Sequence, residues 1–213
     1  MYNVDSEVSK VEANYNIPEG FLGGDRKDFL DIGDTIMATA VLWADRSKDP
    51  SSQVGAVFVN EENRVISIGY NGTPVNWPDE VFPWKKDGIC TCPTCHNIMN
   101  EYDSKYPYVV HAEMNAILNY KGSGSDFNNS TVYVTLFPCS NCAKFLIQRG
   151  IKKVVYLSDK YNGKPDNIAA KLCFERTGVV VEQFVPKNKS LFLSLLPEEG
   201  VKKLDDGISR VRK

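Results

Sequence analysis

Two short motifs constrain the fold of this chain more than any other feature of its sequence. The first is His-Ala-Glu at residues 111–113, and the second is Pro-Cys-Ser-Asn-Cys at residues 138–142. Imidazole and thiolate bind zinc well, and the chain has six cysteines but only two histidines. Each motif begins a segment with helical spacing, so a fold that uses both must bring two helix starts together around one metal ion.

The second motif is suited to present two sulfur ligands on one face of a helical turn. Pro138 ends the preceding strand and presets the backbone for a helix start. Cys139 and Cys142 then share the first turn, where the helix dipole stabilises thiolates. His111 supplies a third ligand. Three protein ligands leave one position for water, which is the arrangement typical of catalytic zinc.

Glu113 lies two residues after the histidine and is therefore not expected to point into the metal itself. It is better placed to reach a water on the metal as a general acid and base. The complete pattern, H-x-E…P-C-x-x-C, matches the signature of zinc-dependent nucleobase deaminases. The alternative interpretation is a structural zinc site, or reduced core cysteines beside a buried histidine.

The segments around the motifs alternate between strands and helices, which predicts an α/β fold of the three-layer α/β/α type. A first helix is predicted by apolar residues spaced by three and four, namely Phe29, Ile32, Ile36, Ala40 and Trp43. The other predicted elements are strands at 53–60, 64–70, 131–136, 153–157 and 179–184, and helices at 111–120, 139–149 and 167–177. The first two strands form a hairpin, so the sheet is predicted to be mixed.

The 213 residues are predicted to form one domain at 28–188, with an N-terminal arm at 1–27 and a C-terminal tail at 189–213. No window approaches a membrane span, and the first residues lack the apolar core of a signal peptide, so we expect no membrane partner and a cytoplasmic location. A net charge of −2 and a pI near 5.8 provide no basic field for nucleic acid, and we expect no such partner.

Longer stretches around the motifs resemble the deoxycytidylate deaminase family of the cytidine deaminase superfamily. These stretches are RSKDPSSQVGAVFVN at 46–60, GYNGTP at 69–74, KYPYVVHAEMNAI at 105–117, TLFPCSNCAK at 135–144 and LSDKY at 157–161. The resemblance covers about residues 32–186. It implies a mixed five-stranded sheet between helices and the zinc-dependent hydrolysis of dCMP to dUMP, the precursor of thymidylate. It also implies a homo-oligomer, commonly a homohexamer, that in many members is regulated by dCTP and dTTP, with Mg²⁺ only beside the regulatory nucleotide.

The resemblance assigns roles to residues of the two motifs and of the GYNG stretch. Zinc would be bound by His111, Cys139 and Cys142, while Glu113 would carry protons between water, N3 of the base and the leaving ammonia. Three further residues would contact the nucleoside: Ala112 through its backbone, Asn71 at the sugar and Phe137 at the pyrimidine. A turn asparagine and a core phenylalanine are the alternative interpretations of Asn71 and Phe137.

The phosphate of the substrate requires positive or hydroxyl donors, and two clusters are predicted to supply them. Arg46, Ser47 and Lys48 follow the first helix, and Lys160 and Tyr161 follow the fourth strand. Ligands of α/β sheets gather at the carboxyl ends of the strands, which favours the second cluster. The alternative for both clusters is a solvated cationic surface.

Two segments depart from the family pattern. Residues 75–78, Val-Asn-Trp-Pro, stand where many relatives continue with glycine in the loop for the regulatory nucleotide. In the irregular segment at 71–106, Cys90, Cys92, Cys95 and His96 could bind a second, structural zinc. A loop of reduced thiols is the alternative there.

Three other functions remain open from the sequence. One is deamination of dCTP or another cytosine nucleotide, which would differ only in the phosphate pocket. Another is a tRNA or nucleobase deaminase, which the acidic charge balance disfavours. The third is a zinc-stabilised binding module or an inactive relative, in which neither Glu113 nor an open metal position would have a purpose.

Overall fold

The computed structural model describes residues 29–86, 102 and 104–188. The predicted arm at 1–27 and tail at 189–213 lie outside these residues. The domain boundaries therefore stay predictions.

Five strands form one mixed sheet in the order β2-β1-β3-β4-β5. The strands are β1 (Gly55–Val59), β2 (Val65–Tyr70), β3 (Thr131–Leu136), β4 (Lys153–Ser158) and β5 (Val180–Gln183). Strand β1 pairs antiparallel with both β2 and β3, whereas β3, β4 and β5 run parallel. The hairpin and the parallel strands that the sequence predicts are both present, and the mixed five-stranded sheet is confirmed.

Helices cover both faces of the sheet. The helices are α1 (Ile32–Ala44), α2 (Ala112–Asn119), α3 (Ser140–Gln148) and α4 (Pro165–Thr177). On one face, α1 packs against Val57, Val59 and Val155. On the other face, residues of α2, α3 and α4 form a second core with Ala56 and Phe58. Alternate residues of β1 thus enter opposite cores, and the three-layer α/β/α prediction is confirmed.

The buried face of α1 differs from the predicted one. Ile36 and Ala40 are buried as expected, but Ile32 is 53% exposed and Trp43 lies at the surface beside Tyr70. The core is completed instead by residues one position away, Met37 and Ala44, which are buried. Phe29 precedes the helix and so cannot belong to its stripe.

Two short elements were not predicted, the 3-10 helices Asp79–Val81 and Gly124–Phe127. Each is a single turn, too short to leave an apolar period in the sequence. None of the helices in the described residues is both long and apolar enough to cross a membrane.

Close packing between α2 and β2 fixes the position of the first motif. A Cβ atom on Gly69 would lie 2.3 Å from the carbonyl oxygen of Ala112 and 2.4 Å from the amide nitrogen of Ala116. The backbone of α2 therefore contacts the strand at a distance that only glycine allows. Asn115 also donates a hydrogen bond of 2.6 Å to the carbonyl oxygen of Tyr70. The start of α2, with its histidine, is held against the sheet.

Candidate active site

The two motifs lie at helix starts, as the sequence predicts. His111 is the N-cap residue of α2, and Cys139 is the N-cap residue of α3. The Cys139 sulfur accepts a hydrogen bond from the backbone N–H of Cys142, so the cap itself sets the two thiols on one side of the turn. Asp166 of α4 also accepts hydrogen bonds from the Ser140 amide at 3.2 and 3.3 Å. The helix end that carries both sulfurs is thus fixed from two sides.

His111, Cys139 and Cys142 meet in one cluster whose ligand atoms all lie within 4.8 Å of one another. The Nδ1 atom of His111 is 3.3 Å from the Cys139 sulfur and 3.4 Å from the Cys142 sulfur. Zinc bonds of about 2.3 Å to sulfur and about 2.0–2.1 Å to nitrogen place tetrahedral ligands about 3.6 Å apart. Two thiolates and one imidazole at these separations fit a zinc ion.

The protonation of the cluster is shared between its members. Hydrogen bonds from Cys142 and His111 lower the pKa of Cys139 to about 4. The bond to Cys139 outweighs burial and raises the pKa of His111 to about 9. The pKa of Cys142 is raised, because its proton serves Cys139 and because the thiol is buried. One thiolate is therefore formed already, and binding of a metal displaces protons from the other two side chains.

Glu113 lies in the first turn of α2, two residues after the histidine, and is only 4% exposed. Burial raises the pKa of this carboxyl group, and the positive charge of His111 opposes the shift. A buried carboxyl group with a raised pKa is suited to accept and return protons beside a metal.

A cavity of about 390 Å³ opens beside the cluster. Its wall includes several residues that the sequence predicts, namely Asn71, His111, Ala112, Glu113, Phe137, Cys139 and Tyr161. Phe137 serves the cavity and the core at once, because its ring packs edge-on against Tyr156 at 4.9 Å and joins the buried cluster of the α2–α4 face. The two interpretations of Phe137 are thus compatible.

Asn71 belongs to a buried polar network on the cavity wall. Its Nδ2 atom donates to Ser52 O at 2.9 Å and to Asp49 Oδ2 at 3.3 Å, while its Oδ1 atom accepts from the Val54 amide at 2.8 Å. Lys105 donates to the same Asp49 oxygen at 2.5 Å. The network joins the segment before β1, the loop after β2 and the segment before α2.

The predicted phosphate clusters lie in different places. Tyr161 lines the cavity, and Lys160 donates to the Ser52 hydroxyl at 2.8 Å. Partial burial opposes ionisation of Tyr161, but its hydrogen bond to Ser52 and the charges of Lys160 and Lys86 lower its pKa. This corner of the cavity therefore favours negative charge.

The other cluster is not part of the cavity wall in the described residues. Arg46 is exposed, Ser47 donates to the carbonyl oxygen of Asn71 at 2.8 Å, and Lys48 forms an exposed ion pair with Asp79. A role for this cluster at the phosphate stays a prediction. The ligands proposed for a second metal, Cys90, Cys92, Cys95 and His96, lie outside the described residues.

Several residues on the cavity wall were not singled out from the sequence. They are Asp49, Ser52, Lys86, Lys105, Tyr106, Lys164, Asp166 and Asn167. Asp49 and Lys105 do fall within two of the stretches that carry the resemblance, and this was the available signal. Charged side chains are usually exposed to solvent, so nothing in the sequence indicated that Asp49 pairs with Lys105. Only the tertiary structure brings the two together.

Comparison with known proteins connects this geometry to a family. Residues 32–158 match the model of the cytidine and deoxycytidylate deaminase zinc-binding region. The chain is 46% identical to deoxycytidylate deaminase of Homo sapiens over 162 residues, which cover 76% of this chain and 84% of the human protein. It is 45% identical over 179 residues to a probable deoxycytidylate deaminase of Drosophila melanogaster, with 82% and 83% of the two chains covered.

A solved structure agrees with these sequence relatives. The crystal structure of dCMP deaminase from the cyanophage S-TIM5, in complex with dCMP and dUMP, superposes with a TM-score of 0.53 at 26% identity. The match covers 72% of this chain and 96% of the phage chain. This chain therefore belongs to the deoxycytidylate deaminase family, within the cytidine deaminase superfamily.

Proposed function

We propose that this protein is a zinc-dependent hydrolase that converts dCMP and water to dUMP and ammonia, and so supplies dUMP for thymidylate synthesis. The observation that carries the proposal is the cluster of His111, Cys139 and Cys142 beside the buried carboxyl group of Glu113, on the wall of a cavity. Membership of the deoxycytidylate deaminase family supports the choice of substrate.

Zinc would be held by His111 through Nδ1 and by Cys139 and Cys142 through sulfur. A zinc ion held there would supply the acidity that lowers the pKa of water toward neutrality. The backbone N–H of Ala112 contacts the pyrimidine edge, and the ring of Phe137 contacts its apolar surface. These contacts orient C4 of the base toward the metal.

Glu113 carries the protons of the reaction. It takes a proton from the attacking water and delivers it to N3 of cytosine, while the water oxygen bonds to C4. It then transfers the second proton to the amine, the C4–N bond breaks and ammonia leaves. The oxygen remains on C4 as the carbonyl of dUMP. Burial of Glu113 supports this role, because the raised pKa helps the carboxyl group to hold each proton between transfers.

The phosphate is bound at the corner of Tyr161 and Lys160, with Lys86 at the cavity wall. The support is electrostatic, since the two lysines and the Ser52 hydrogen bond already lower the pKa of Tyr161. A phosphate there accepts charge-assisted hydrogen bonds. A role for Arg46, Ser47 and Lys48 at the phosphate stays a prediction from the resemblance, and the wall of the described cavity favours the corner of Tyr161 over this cluster.

The protein is also proposed to act as a homo-oligomer, with a hexamer as the expected form. Exposed apolar residues of α1 support association, namely Ile32, Val41 and Leu42. Sedimentation velocity would measure the mass in solution. Regulation by dCTP and dTTP with Mg²⁺, a second structural zinc and a cytoplasmic location stay predictions.

The assay that tests the function is ammonia release from dCMP, dCTP, deoxycytidine and CMP, measured side by side. We expect dCMP to be the preferred substrate. The Glu113→Ala variant should keep its zinc and fold but release no ammonia, because the proton carrier is lost. Preference for dCTP, or undiminished turnover by the variant, would contradict the proposal.

A further inference from the structure

The loop between β4 and α4, residues 159–164, carries the proposed phosphate contact Tyr161. Its first turn is closed by a hydrogen bond of 3.0 Å from the Asn162 amide to the carbonyl oxygen of Asp159, with Tyr161 inside the turn. This bond lies within the loop, so it shapes the turn without attaching it to the rest of the domain. The position of Tyr161 at the cavity wall therefore depends on contacts that the loop makes with other elements.

A lysine of α4 attaches this turn at both of its ends. The Nζ atom of Lys171 donates to Asp159 Oδ2 and to Asn162 Oδ1, each at 2.7 Å. Asp159 opens the turn and Asn162 closes it, so one ammonium group bridges the residues on either side of Tyr161. The bond to Asp159 joins two charged groups, which makes it stronger than a neutral hydrogen bond, and the Asp159 side chain is only 13% exposed.

The other oxygen of Asp159 is held by the same helix. Asp159 Oδ1 accepts from Asn167 Nδ2 at 2.7 Å, and Asn167 is buried on the cavity wall. Asn167 and Lys171 are four residues apart, so they share one face of α4 and hold the two carboxylate oxygens from that face. The start of the loop is therefore fixed to α4 through a single carboxylate.

Lys171 also connects the loop to a residue proposed to contact the base. Its Nζ atom lies 5.2 Å from the centre of the Phe137 ring, within the range of a cation–π interaction. Phe137 lines the cavity and is the proposed contact of the pyrimidine. In the part of the chain that the structure describes, Lys171 is not on the cavity wall, so it acts through residues that are.

We propose that Lys171 and Asp159 are a positioning pair that fixes the phosphate contact Tyr161 relative to the pyrimidine contact Phe137. A substrate that carries both a base and a phosphate gains from a fixed separation of the two contacts, whereas a nucleoside gains from the base contact alone. The pair thus selects the nucleotide over the nucleoside. Its contribution to stability is small, because the Lys171 side chain is 40% exposed. This inference rests on the proposed function and deepens it.

The test measures the ratio of kcat/KM for dCMP to that for deoxycytidine in the double variant Asp159→Asn/Lys171→Met. This variant leaves no uncompensated charge beside the phosphate, and the introduced amide oxygen can still accept from Asn167. We expect the ratio to fall about 10-fold, because misplacing a contact by about 1 Å can cost about 100-fold. The loss should lie mainly in KM for dCMP, since a phosphate contact binds ground state and transition state alike.

Two variants show what a merely structural role would not. Lys171→Arg keeps a charged donor for Asp159 and should hold the ratio within about threefold of the natural value. The matched control Glu182→Gln/Lys153→Met removes an ion pair between β4 and β5 outside the described cavity wall, and it should keep the natural ratio. A general defect of fold or zinc content would lower turnover of both substrates and leave the ratio unchanged.

A double-mutant cycle tests whether the pair acts through Tyr161. Tyr161→Phe is measured in the natural enzyme and in the double variant. If the pair positions the tyrosine, the change should lower the ratio by less than about threefold in the variant, against about 10-fold in the natural enzyme.

The outcomes separate the positioning pair from the function. A folded, zinc-loaded double variant with the natural ratio would overturn the pair and leave the proposed function intact. Independent losses in the cycle would overturn it as well. Should the double variant fail to fold, Lys171→Met alone is measured in the same way, with the same expected result. Absence of dCMP turnover in the natural enzyme would overturn the proposed function itself.

Discussion

The two walls of the cavity are built in different ways. The metal wall comes from two helix starts, with each functional side chain within the N-cap or the first turn of α2 or α3. The opposite wall comes from loops, where Asp49, Asn71 and Lys105 are joined across three distant segments by one buried carboxylate. The metal wall depends on the cap of α3 and on the contact of α2 with β2, whereas the opposite wall depends on the approach of three loop segments.

This difference bears on how variants of the two walls should fail. Residues at a helix start are fixed largely by neighbours in sequence, and the metal wall needs few distant contacts, such as that of α2 with Gly69. Residues of the opposite wall keep their positions only while three segments distant in sequence stay packed together. Variants of the metal wall should therefore fail in metal content and rate, whereas variants of the opposite wall should fail in the packing of the three segments.

The largest effect is expected at the metal wall, from Cys142→Ala. Cys142 is 1% exposed and is one of the three proposed zinc ligands. Loss of the ligand should remove zinc and lower ammonia release by at least about 1000-fold, since the metal supplies several kcal/mol of transition-state stabilisation. Zinc per chain and kcat would be measured together. Cys173→Ala, a half-buried cysteine of α4 outside the cavity wall, is the control and should keep both. Full zinc and full rate in Cys142→Ala would refute the ligand assignment.

The metal wall could be predicted because its signals are local. Pro138 and the two cysteines sit at adjoining positions of one helix start, and His111 with Glu113 repeats this at another. The opposite wall gave no such signal. Asp49 was not singled out from the sequence, and Lys105 fell in an irregular segment, where charged side chains are normally solvated. Their pairing depends on the approach of residues far apart in sequence.

The same limit applies to the fold. The alternation of strands and helices predicted the sheet and its layers, because strands and helices each have a characteristic spacing of apolar residues. The predicted face of α1 was wrong at Ile32 and Trp43, because an apolar residue can lie on either side of a helix that is mostly apolar. Which side of the helix is buried depends on the element against which the helix packs, and that element is distant in sequence.

An intermediate effect is expected where the metal wall depends on the sheet, at Gly69→Ala. The added Cβ would meet the backbone of α2 at 2.3 Å, so the helix must move and carry His111 and Glu113 with it. A displacement of about 1 Å can cost about 100-fold in rate, and kcat should fall by about that factor for dCMP and deoxycytidine alike.

Gly72→Ala is the matched control in the same stretch, since among the described residues its Cβ would meet only a Tyr70 ring carbon, at an ordinary 3.7 Å. It should change kcat little. If Gly69→Ala behaved like this control, the close contact between α2 and β2 would not be what holds the metal wall.

A smaller effect, specific to one substrate, is expected from Tyr161→Phe at the phosphate corner. Loss of the hydroxyl group should lower kcat/KM for dCMP about 10-fold more than for deoxycytidine, because only dCMP presents a phosphate to it. Tyr133→Phe, on the α1 face of the sheet, is the control and should lower neither. An equal loss on both substrates would place Tyr161 outside phosphate recognition.

The smallest effect is expected from Arg46→Ala, and it tests which cluster holds the phosphate. Arg46 is exposed and does not line the described cavity, so within one chain its charge acts on the phosphate only through solvent, where screening leaves little interaction. The ratio of kcat/KM for dCMP to that for deoxycytidine should therefore change by less than about twofold. A selective loss on dCMP as large as that of Tyr161→Phe would mean that Arg46 reaches a phosphate after all. Since the wall of its own cavity excludes it, that phosphate would lie in the site of a neighbouring subunit, and measuring the loss in dissociated and assembled enzyme would show it.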